Sequence, residues 1–222
     1  MARDIEIVTP RGPVSGIWEW PRGAGAALVL AHGAGGDLRS SLLAGLADGL
    51  AGFGIGTLRF NFAYSEGGRR APDAQPALRA VFGAAFDEAA RRSRGAPVFA
   101  GGKSLGGRIA SLLAADGLPV SGLVFVGYPL HPPGHPEKVR DAHLDSIRVP
   151  MLFLQGTADP FARWDLVETV TGRLGKLATR HPVEGGDHSF RVRGAKLPDQ
   201  EIGRRLAEPA AAFIRGIVGR TT

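Results

Sequence analysis

Residues 100–108 read AGGKSLGGR, a glycine cluster in which a lysine is followed by a serine. Two kinds of chemistry use such a pair: phosphate binding by a glycine-rich loop, or attack by an exposed serine hydroxyl. A phosphate-binding loop of the type G-x-x-x-x-G-K-[ST] needs a glycine five residues before Gly102, and that position holds Pro97. The backbone therefore lacks the flexibility to wrap a phosphate, and we expect no nucleotide-binding loop here.

The same segment satisfies the pattern for a serine nucleophile. Residues 102–106 read GKSLG and match G-x-S-x-G, in which the serine occupies a sharp turn between a strand and a helix. The preceding PVFAG is predicted to be a strand, and the following GRIASLLAAD a helix. Glycines two positions on either side of the serine leave room for the chain to reverse. Ser104 is therefore the predicted nucleophile.

A serine hydroxyl attacks efficiently only when a base removes its proton, so a histidine is required. His188 lies in VEGGDHSF, after the last predicted strand and before a C-terminal helix, and Gly185 and Gly186 would let this loop turn back over the sheet. We favour His188 over the other histidines, which are His32, His131, His135, His143 and His181.

The histidine needs a carboxylate that fixes its tautomer and stabilises its protonated form. Asp159 follows the predicted strand PMLFLQG, and Pro160 is expected to begin a helix. Asp159 could instead be a helix cap, and Asp187 an ordinary turn residue. We favour Asp159 because it lies at the carboxyl end of a clear strand pattern, whereas Asp187 immediately precedes His188 and would point the wrong way to orient it.

Two backbone amides are predicted to stabilise the oxyanion that forms during such an attack. One is the amide of Leu105, at the start of its helix; the other is that of Ala34, in the loop AHGAGG, which could also be a simple flexible turn. Six further residues are predicted to border a pocket: His32, Gly33, Asn61, Tyr64, Lys103 and Tyr128. The side chain of Lys103 is expected to point away along the turn.

The elements that must position these residues alternate along the chain. Short apolar runs typical of buried strands alternate with helical patterns, which predicts an α/β fold with a mostly parallel, twisted sheet and helices on both faces. An antiparallel hairpin (DIEIV and VSGIWEW) is expected at one edge. Helices are predicted over residues 38–51, 73–92 and 104–115, after Pro160, and from Asp199 to the end.

The proline- and histidine-rich residues 128–150 are expected to form either a pocket rim or a connecting loop. Residues 1–222 make one domain.

Composition narrows the classes of protein further. The chain has 222 residues and no cysteine, which excludes disulfide scaffolds and thiolate chemistry. The net charge of +6 comes with arginines spread along the chain. Their densest groups, at 69–70, 91–94 and 204–205, contain no aromatic residues, so we expect a solvated surface and no nucleic-acid partner. The N-terminus lacks the apolar run of a signal peptide and no stretch is long enough to span a bilayer, so the expected location is cytoplasmic, without membrane contact.

Six segments together resemble a known family: HGAGG, LRFNFAY, GGKSLGGR, GYPLHPPG, FLQGTADPF and GGDHSF. The chain resembles the α/β-hydrolases, in particular the small, nearly capless branch similar to dienelactone hydrolases. Within that branch it is most similar to the KANSL-type and testis-expressed hydrolase-like family. The resemblance implies the α/β-hydrolase fold, with about seven to eight strands and a minimal cap or none.

The resemblance also implies an activity. Ser104 stands where dienelactone hydrolases have a cysteine, so a lactone substrate is not implied. The expected function is that of a serine hydrolase, which cleaves ester-type bonds (carboxylic ester or thioester) in small acyl substrates through an acyl-enzyme. No metal and no organic cofactor are expected. Some relatives look like components of regulatory assemblies, so the alternative is a non-catalytic protein-interaction domain.

Overall fold

The computed structural model describes residues 2–219. The predicted domain and the predicted C-terminal helix both extend beyond this range, because residue 1 and residues 220–222 lie outside the described residues. Strands and helices alternate over most of the described chain. The strands are β1 (Ala2–Ile7), β2 (Val14–Glu19), β3 (Ala26–Ala31), β4 (Ile55–Phe60), β5 (Val98–Lys103), β6 (Leu123–Val126), β7 (Met151–Gly156) and β8 (Ala178–Val183). The α-helices are α1 (Ser41–Gly52), α2 (Ala63–Glu66), α3 (Gln75–Ser93), α4 (Leu105–Ala115), α5 (Trp164–Leu174) and α6 (Asp199–Val218). Short 3-10 helices span Ala142–Ser146 and Gly175–Leu177.

The eight described strands form one sheet in the order β1-β2-β4-β3-β5-β6-β7-β8. Strand β2 runs antiparallel to both β1 and β4, and all other neighbours are parallel. The prediction of a mostly parallel sheet with an antiparallel hairpin at one edge is therefore confirmed.

Helices cover both faces of the sheet, which explains why strands β3 to β7 are buried along almost their whole length and are mostly apolar. On one face the buried cluster joins the sheet to α3, α4 and α5 through residues such as Phe82, Ile109 and Val167. On the other face it joins the sheet to α1 and α6 through residues such as Leu46 and Leu206. This double burial makes the strand ends a rigid frame for side chains that follow them.

Helices α1 and α6 approach one another closely through glycines. A Cβ atom on Gly45 would overlap the carbonyl oxygen of Gln200, and one on Gly203 would overlap that of Leu42. The two helices therefore meet backbone to backbone.

The parallel strands β3, β5, β6, β7 and β8 place their carboxyl ends along one edge of the sheet. The predicted helices are found within a few residues of their expected bounds, with one exception. The helix expected at Pro160 begins at Trp164, because residues 157–163 form turns. Within residues 2–219, none of the helices has the length and apolar character needed to cross a membrane.

Candidate active site

Ser104 occupies the turn between β5 and α4, with φ 49° and ψ −110°. A non-glycine residue with positive φ is strained, and such strain is held in place only by surrounding structure. The two glycines of the motif supply the room for it: a Cβ atom on either Gly102 or Gly106 would overlap the carbonyl oxygen of Ala31 on β3. The motif therefore lets the turn press against the neighbouring strand and expose the serine beyond the sheet edge.

Three residues from separate parts of the chain form a continuous hydrogen-bonded relay. The Nε2 atom of His188 lies 2.9 Å from the Oγ atom of Ser104, and its Nδ1 atom lies 2.7 Å from Oδ2 of Asp159. His188 reaches this position because its loop packs on the end of β7, where a Cβ atom on Gly156 would overlap the carbonyl oxygen of Gly186. The structure thus brings together the three residues that the sequence singled out.

The carboxylate of Asp159 is held by two further donors. Its side chain is fully buried, the Gln155 amide donates to Oδ2 at 2.6 Å, and the backbone N–H of Phe161 donates to Oδ1 at 2.8 Å. The backbone N–H of Tyr128 donates to the Gln155 carbonyl oxygen at 2.7 Å, which fixes the orientation of that amide. Because the carboxylate is an acceptor, Nδ1 of His188 carries the proton and Nε2 is free to accept one from the serine.

Gln155 and Phe161 were not singled out from the sequence. A signal for Gln155 exists, since it is the single polar side chain in the buried strand MLFLQG. The aromatic ring of Phe161 also packs against the His188 imidazole, with ring centroids 4.3 Å apart. The His188 side chain remains 19% exposed, so a substrate can reach it. Asp187 is a turn residue, because its carboxylate accepts from the backbone N–H groups of Ser189 and Arg191.

The loop after β3 is anchored by a neutral, buried histidine. Nδ1 of His32 donates to the carbonyl oxygen of Gly33 at 2.8 Å, and Nε2 accepts from the backbone N–H of Phe62 at 3.2 Å. Burial lowers the pKa of His32, which keeps the ring neutral and fixes this tautomer. The hydroxyl of Tyr64 also donates to the Gly33 carbonyl oxygen, at 3.4 Å.

These bonds orient the peptide that joins Gly33 to Ala34. Its carbonyl oxygen points toward His32, so the N–H of Ala34, on the opposite side of a trans peptide, points away from it. Gly33 lies beside the nucleophile, since a Cβ atom built on it would be 3.7 Å from Cβ of Ser104. Leu105 begins α4, where the N–H has no partner within the helix.

Four residues that were predicted to border a pocket instead support the loops. His32, Tyr64 and Tyr128 are at most 1% exposed, and their polar atoms are bonded inside the protein, so they lie behind the site. Asn61 accepts from the N–H of Leu38 and donates to Glu66, which ties together the loops after β3 and β4. The prediction for these four side chains is therefore corrected: their polar groups are committed to internal bonds.

The Tyr128 hydroxyl belongs to a buried polar group below the sheet edge. It lies 3.0 Å from the Ser111 hydroxyl and 3.1 Å from Nε2 of His143. Burial raises the pKa of Tyr128 to about 12 and lowers that of His143 to about 4, so both are neutral near pH 7. This group joins α4 to the segment before β7.

Lys103 does not point away from the relay as expected. A Cβ atom on Gly127 would lie 3.1 Å from Nζ of Lys103 and 3.6 Å from Nδ1 of His188, so the ammonium and the imidazole flank the same point. Nζ is buried and has no hydrogen-bond partner among the described residues. Burial lowers the pKa of Lys103 to about 8, although the charges of Asp159 and Asp187 act in the opposite direction.

A shallow cleft of about 370 Å³ adjoins the Asp159 side of the relay. The proline- and histidine-rich segment contributes His131, Gly134 and Pro136 to its lining, and Trp164 lies across from them. The backbone N–H of Arg163 donates to Nε2 of His131 at 3.0 Å, which joins the two sides. The segment therefore forms a rim, one of the two roles expected for it.

Comparison with known proteins places this architecture in a family. A family sequence model described as "Alpha/beta hydrolase domain" matches residues 24–215. The chain is similar to a solved α/β serine hydrolase homologue from Coxiella burnetii, with a TM-score of 0.76 at 19% identity over 96% of this chain and 97% of that one. A dienelactone hydrolase from Anabaena variabilis gives a TM-score of 0.74 at 19% identity over 97% of each chain. A lidless α/β serine hydrolase from Xanthomonas campestris gives 0.72 at 18% identity over 99% of this chain and 94% of that one. At these identities the solved structures show a shared fold, and the family match shows that the chain belongs to the alpha/beta hydrolase domain family.

Proposed function

We propose that this chain is a serine hydrolase that cleaves ester-type bonds of small acyl substrates. The observation that carries the proposal is the relay of 2.9 Å and 2.7 Å hydrogen bonds from Ser104 through His188 to Asp159, on a strained turn beyond a sheet edge. A serine used only for structure would not need an imidazole partner that is itself oriented by a buried carboxylate.

In the first half of the reaction, the Ser104 hydroxyl attacks the carbonyl carbon while its proton passes to Nε2 of His188. The Asp159 carboxylate stabilises the imidazolium that results, and the Gln155 amide and the backbone N–H of Phe161 hold the carboxylate in place. The tetrahedral intermediate collapses when the imidazolium gives its proton to the leaving alcohol or thiol. The acyl group is then bonded to the serine oxygen.

In the second half, His188 takes a proton from water, and the hydroxide formed attacks the acyl-enzyme. The carboxylic acid product leaves as the proton returns to Ser104. The amides of Leu105 and Ala34 would donate to the negatively charged oxygen in both halves, because one begins a helix and the other is held opposite a bonded carbonyl. Each such donor contributes on the order of 100-fold or more to the rate.

The shape of the site favours small substrates. The cleft of about 370 Å³ is shallow and is lined by residues 157–164 and by the segment 128–150, which contains no α-helix. Dienelactone hydrolase and lidless serine hydrolase structures have the same fold. We therefore propose short-chain carboxylic esters or thioesters as the substrates. A cytoplasmic location, the lack of a nucleic-acid partner and membership of the narrower KANSL-type family are also parts of this proposal.

A fluorophosphonate probe tests the proposal directly, because it reacts only with a serine that has been activated by a base. We expect labelling of one residue, Ser104, located by mass spectrometry of peptides. The Ser104→Ala variant should not label, whereas the control Ser146→Ala, which changes an exposed serine of a 3-10 helix, should label as the wild type does.

The same experiment separates the enzyme from a non-catalytic interaction domain. Folded protein that neither labels nor hydrolyses p-nitrophenyl esters with two to eight acyl carbons would contradict the proposal and favour the interaction domain. If the protein is labelled, hydrolysis should be fastest for the shortest acyl chains.

A further inference from the structure

A second cavity, of about 550 Å³, lies at the opposite edge of the sheet from Ser104. Trp20 follows β2, whose end pairs with the start of β4, and Arg94 follows α3 just before β5 begins. The cavity is therefore at the amino ends of the parallel strands, while the relay is at their carboxyl ends. We call it the arginine–tryptophan pocket, and its lining includes Arg3, Trp18, Trp20, Arg91, Arg92 and Arg94.

The pocket concentrates positive charge. Among residues 2–219, one carboxylate lies within hydrogen-bond distance of the four arginines; it belongs to Glu88, which bonds both Arg91 and Arg92. Arg3 and Arg94 form no ion pair with any residue among 2–219. Glu6 and Asp87 line an adjoining shallow depression without pairing to either free arginine. The lining therefore has a net positive charge that an anion would neutralise.

The placement of these arginines is not explained by helix stability alone. Arginines in the last turn of a helix complement its dipole, which accounts for Arg91 and Arg92. It does not account for Arg3, which comes from strand β1. Arg94 also adopts a left-handed conformation, with φ 52° and ψ 44°, a position where glycine is usual.

Two stacked tryptophan side chains lie beside the arginines. The rings of Trp18 and Trp20 stack with centroids 5.4 Å apart and planes 10° from parallel. Gly56 makes room for the second ring, since a Cβ atom there would overlap it. Arg91, Arg92 and Arg94 therefore lie next to aromatic side chains that are over 70 residues away in the chain, and the sequence does not reveal this proximity.

We propose that the arginine–tryptophan pocket binds a small molecule that carries both phosphate and a planar ring, a nucleoside phosphate. Guanidinium groups bind phosphate oxygens in pairs of parallel hydrogen bonds, and they suit this role better than lysines do. Trp18 is buried behind its neighbour, whereas Trp20 is half-buried and offers an apolar aromatic surface to a base. The volume of about 550 Å³ is within the range of small-molecule sites. This site is unrelated to the loop at Ser104, where the sequence excludes a phosphate cradle.

Tryptophan fluorescence tests the proposal without reference to the hydrolase activity. Trp164 lies at the other edge, so in the Trp164→Phe variant the emission comes from Trp18 and Trp20 alone. ADP without divalent metal should quench this emission saturably, and pyrophosphate and adenosine, tested separately, should each bind at least tenfold more weakly than ADP.

Variants locate the binding. Arg3→Ala and Arg94→Ala change exposed side chains, and each should weaken ADP binding about tenfold or more, whereas Arg148→Ala, an exposed arginine remote from the pocket, should leave it unchanged. Raising the salt concentration should weaken wild-type binding. Three results would overturn the proposal: no saturable quenching by ADP, equal binding of pyrophosphate and ADP, or equal weakening by Arg148→Ala and the two pocket variants. Circular dichroism of each variant confirms that its fold is retained.

Discussion

Replacing Lys103 by methionine should make the protein more stable at neutral pH. Methionine keeps most of the apolar stem and removes an ammonium that is buried without a hydrogen-bond partner. The pKa of Lys103 is lowered from 10.5 to about 8 in the folded protein. At about 1.4 kcal/mol for each tenfold change in the protonation equilibrium, this corresponds to a cost of about 3 kcal/mol to the folded state.

The pH range in which the buried ammonium destabilises the protein follows from the direction of the Lys103 pKa change. Between pH 8 and 10.5 the unfolded chain holds the proton while the folded protein has lost it, so stability rises with pH through that window. Below pH 8 the full cost is present. Lys103→Met should therefore exceed the wild type by up to about 3 kcal/mol at pH 7, with a difference that shrinks toward pH 10.5.

Urea unfolding of both proteins at several pH values between 7 and 10.5 measures this difference. The contributions of the other titratable groups to the pH dependence cancel in this difference, because those groups are the same in the two proteins. The matched control is Lys176→Met, an exposed lysine, whose difference from wild type should be small and constant with pH. A Lys103→Met protein that is less stable than wild type at pH 7, or whose difference does not vary with pH, would refute the reasoning.

Three other predictions concern the relay and its supports. Asp159→Asn should lower kcat by about 10⁴-fold in an ester assay while the fold is retained, because the asparagine amide would favour the wrong tautomer of the histidine; a loss below tenfold would contradict this role. Gly102→Ala and Gly106→Ala should each prevent native folding, as judged by near-UV circular dichroism, whereas Gly83→Ala, in an open position of α3, should be neutral or stabilising. His143, whose pKa is lowered from 6.5 to about 4, should make stability fall as the pH drops from 6.5 to 4; thermal melts should show that His143→Gln loses part of this dependence.

The relay could be predicted because each of its members lies within five residues of the end of a strand, so that the strand fixes its approximate position in space. Ser104 immediately follows the buried strand β5, Asp159 lies three residues after the end of β7, and parallel strands place their carboxyl ends at one edge. Local pattern alone is enough to place such residues.

The contacts that the sequence did not reveal depend on side-chain direction or on distant partners. Lys103 turns toward His188 because of packing around Gly127, which no local pattern encodes. The helix expected at Pro160 begins later, since the Asp159 side chain accepts from Phe161 and stabilises a turn there. The arginines at 91–94 meet their aromatic neighbours only through the pairing of β2 with the sheet.

The backbone contact between α1 and α6 has a consequence for how the protein is made. Gly45 and Gly203 are 158 residues apart in the chain, yet each fits against the main chain of the other helix. Until the ribosome has synthesised that whole stretch, leucines such as Leu46 lack the apolar contacts that α6 supplies on this face of the sheet. A nascent chain shorter than this therefore carries an exposed apolar surface, the kind of surface that chaperones bind during synthesis.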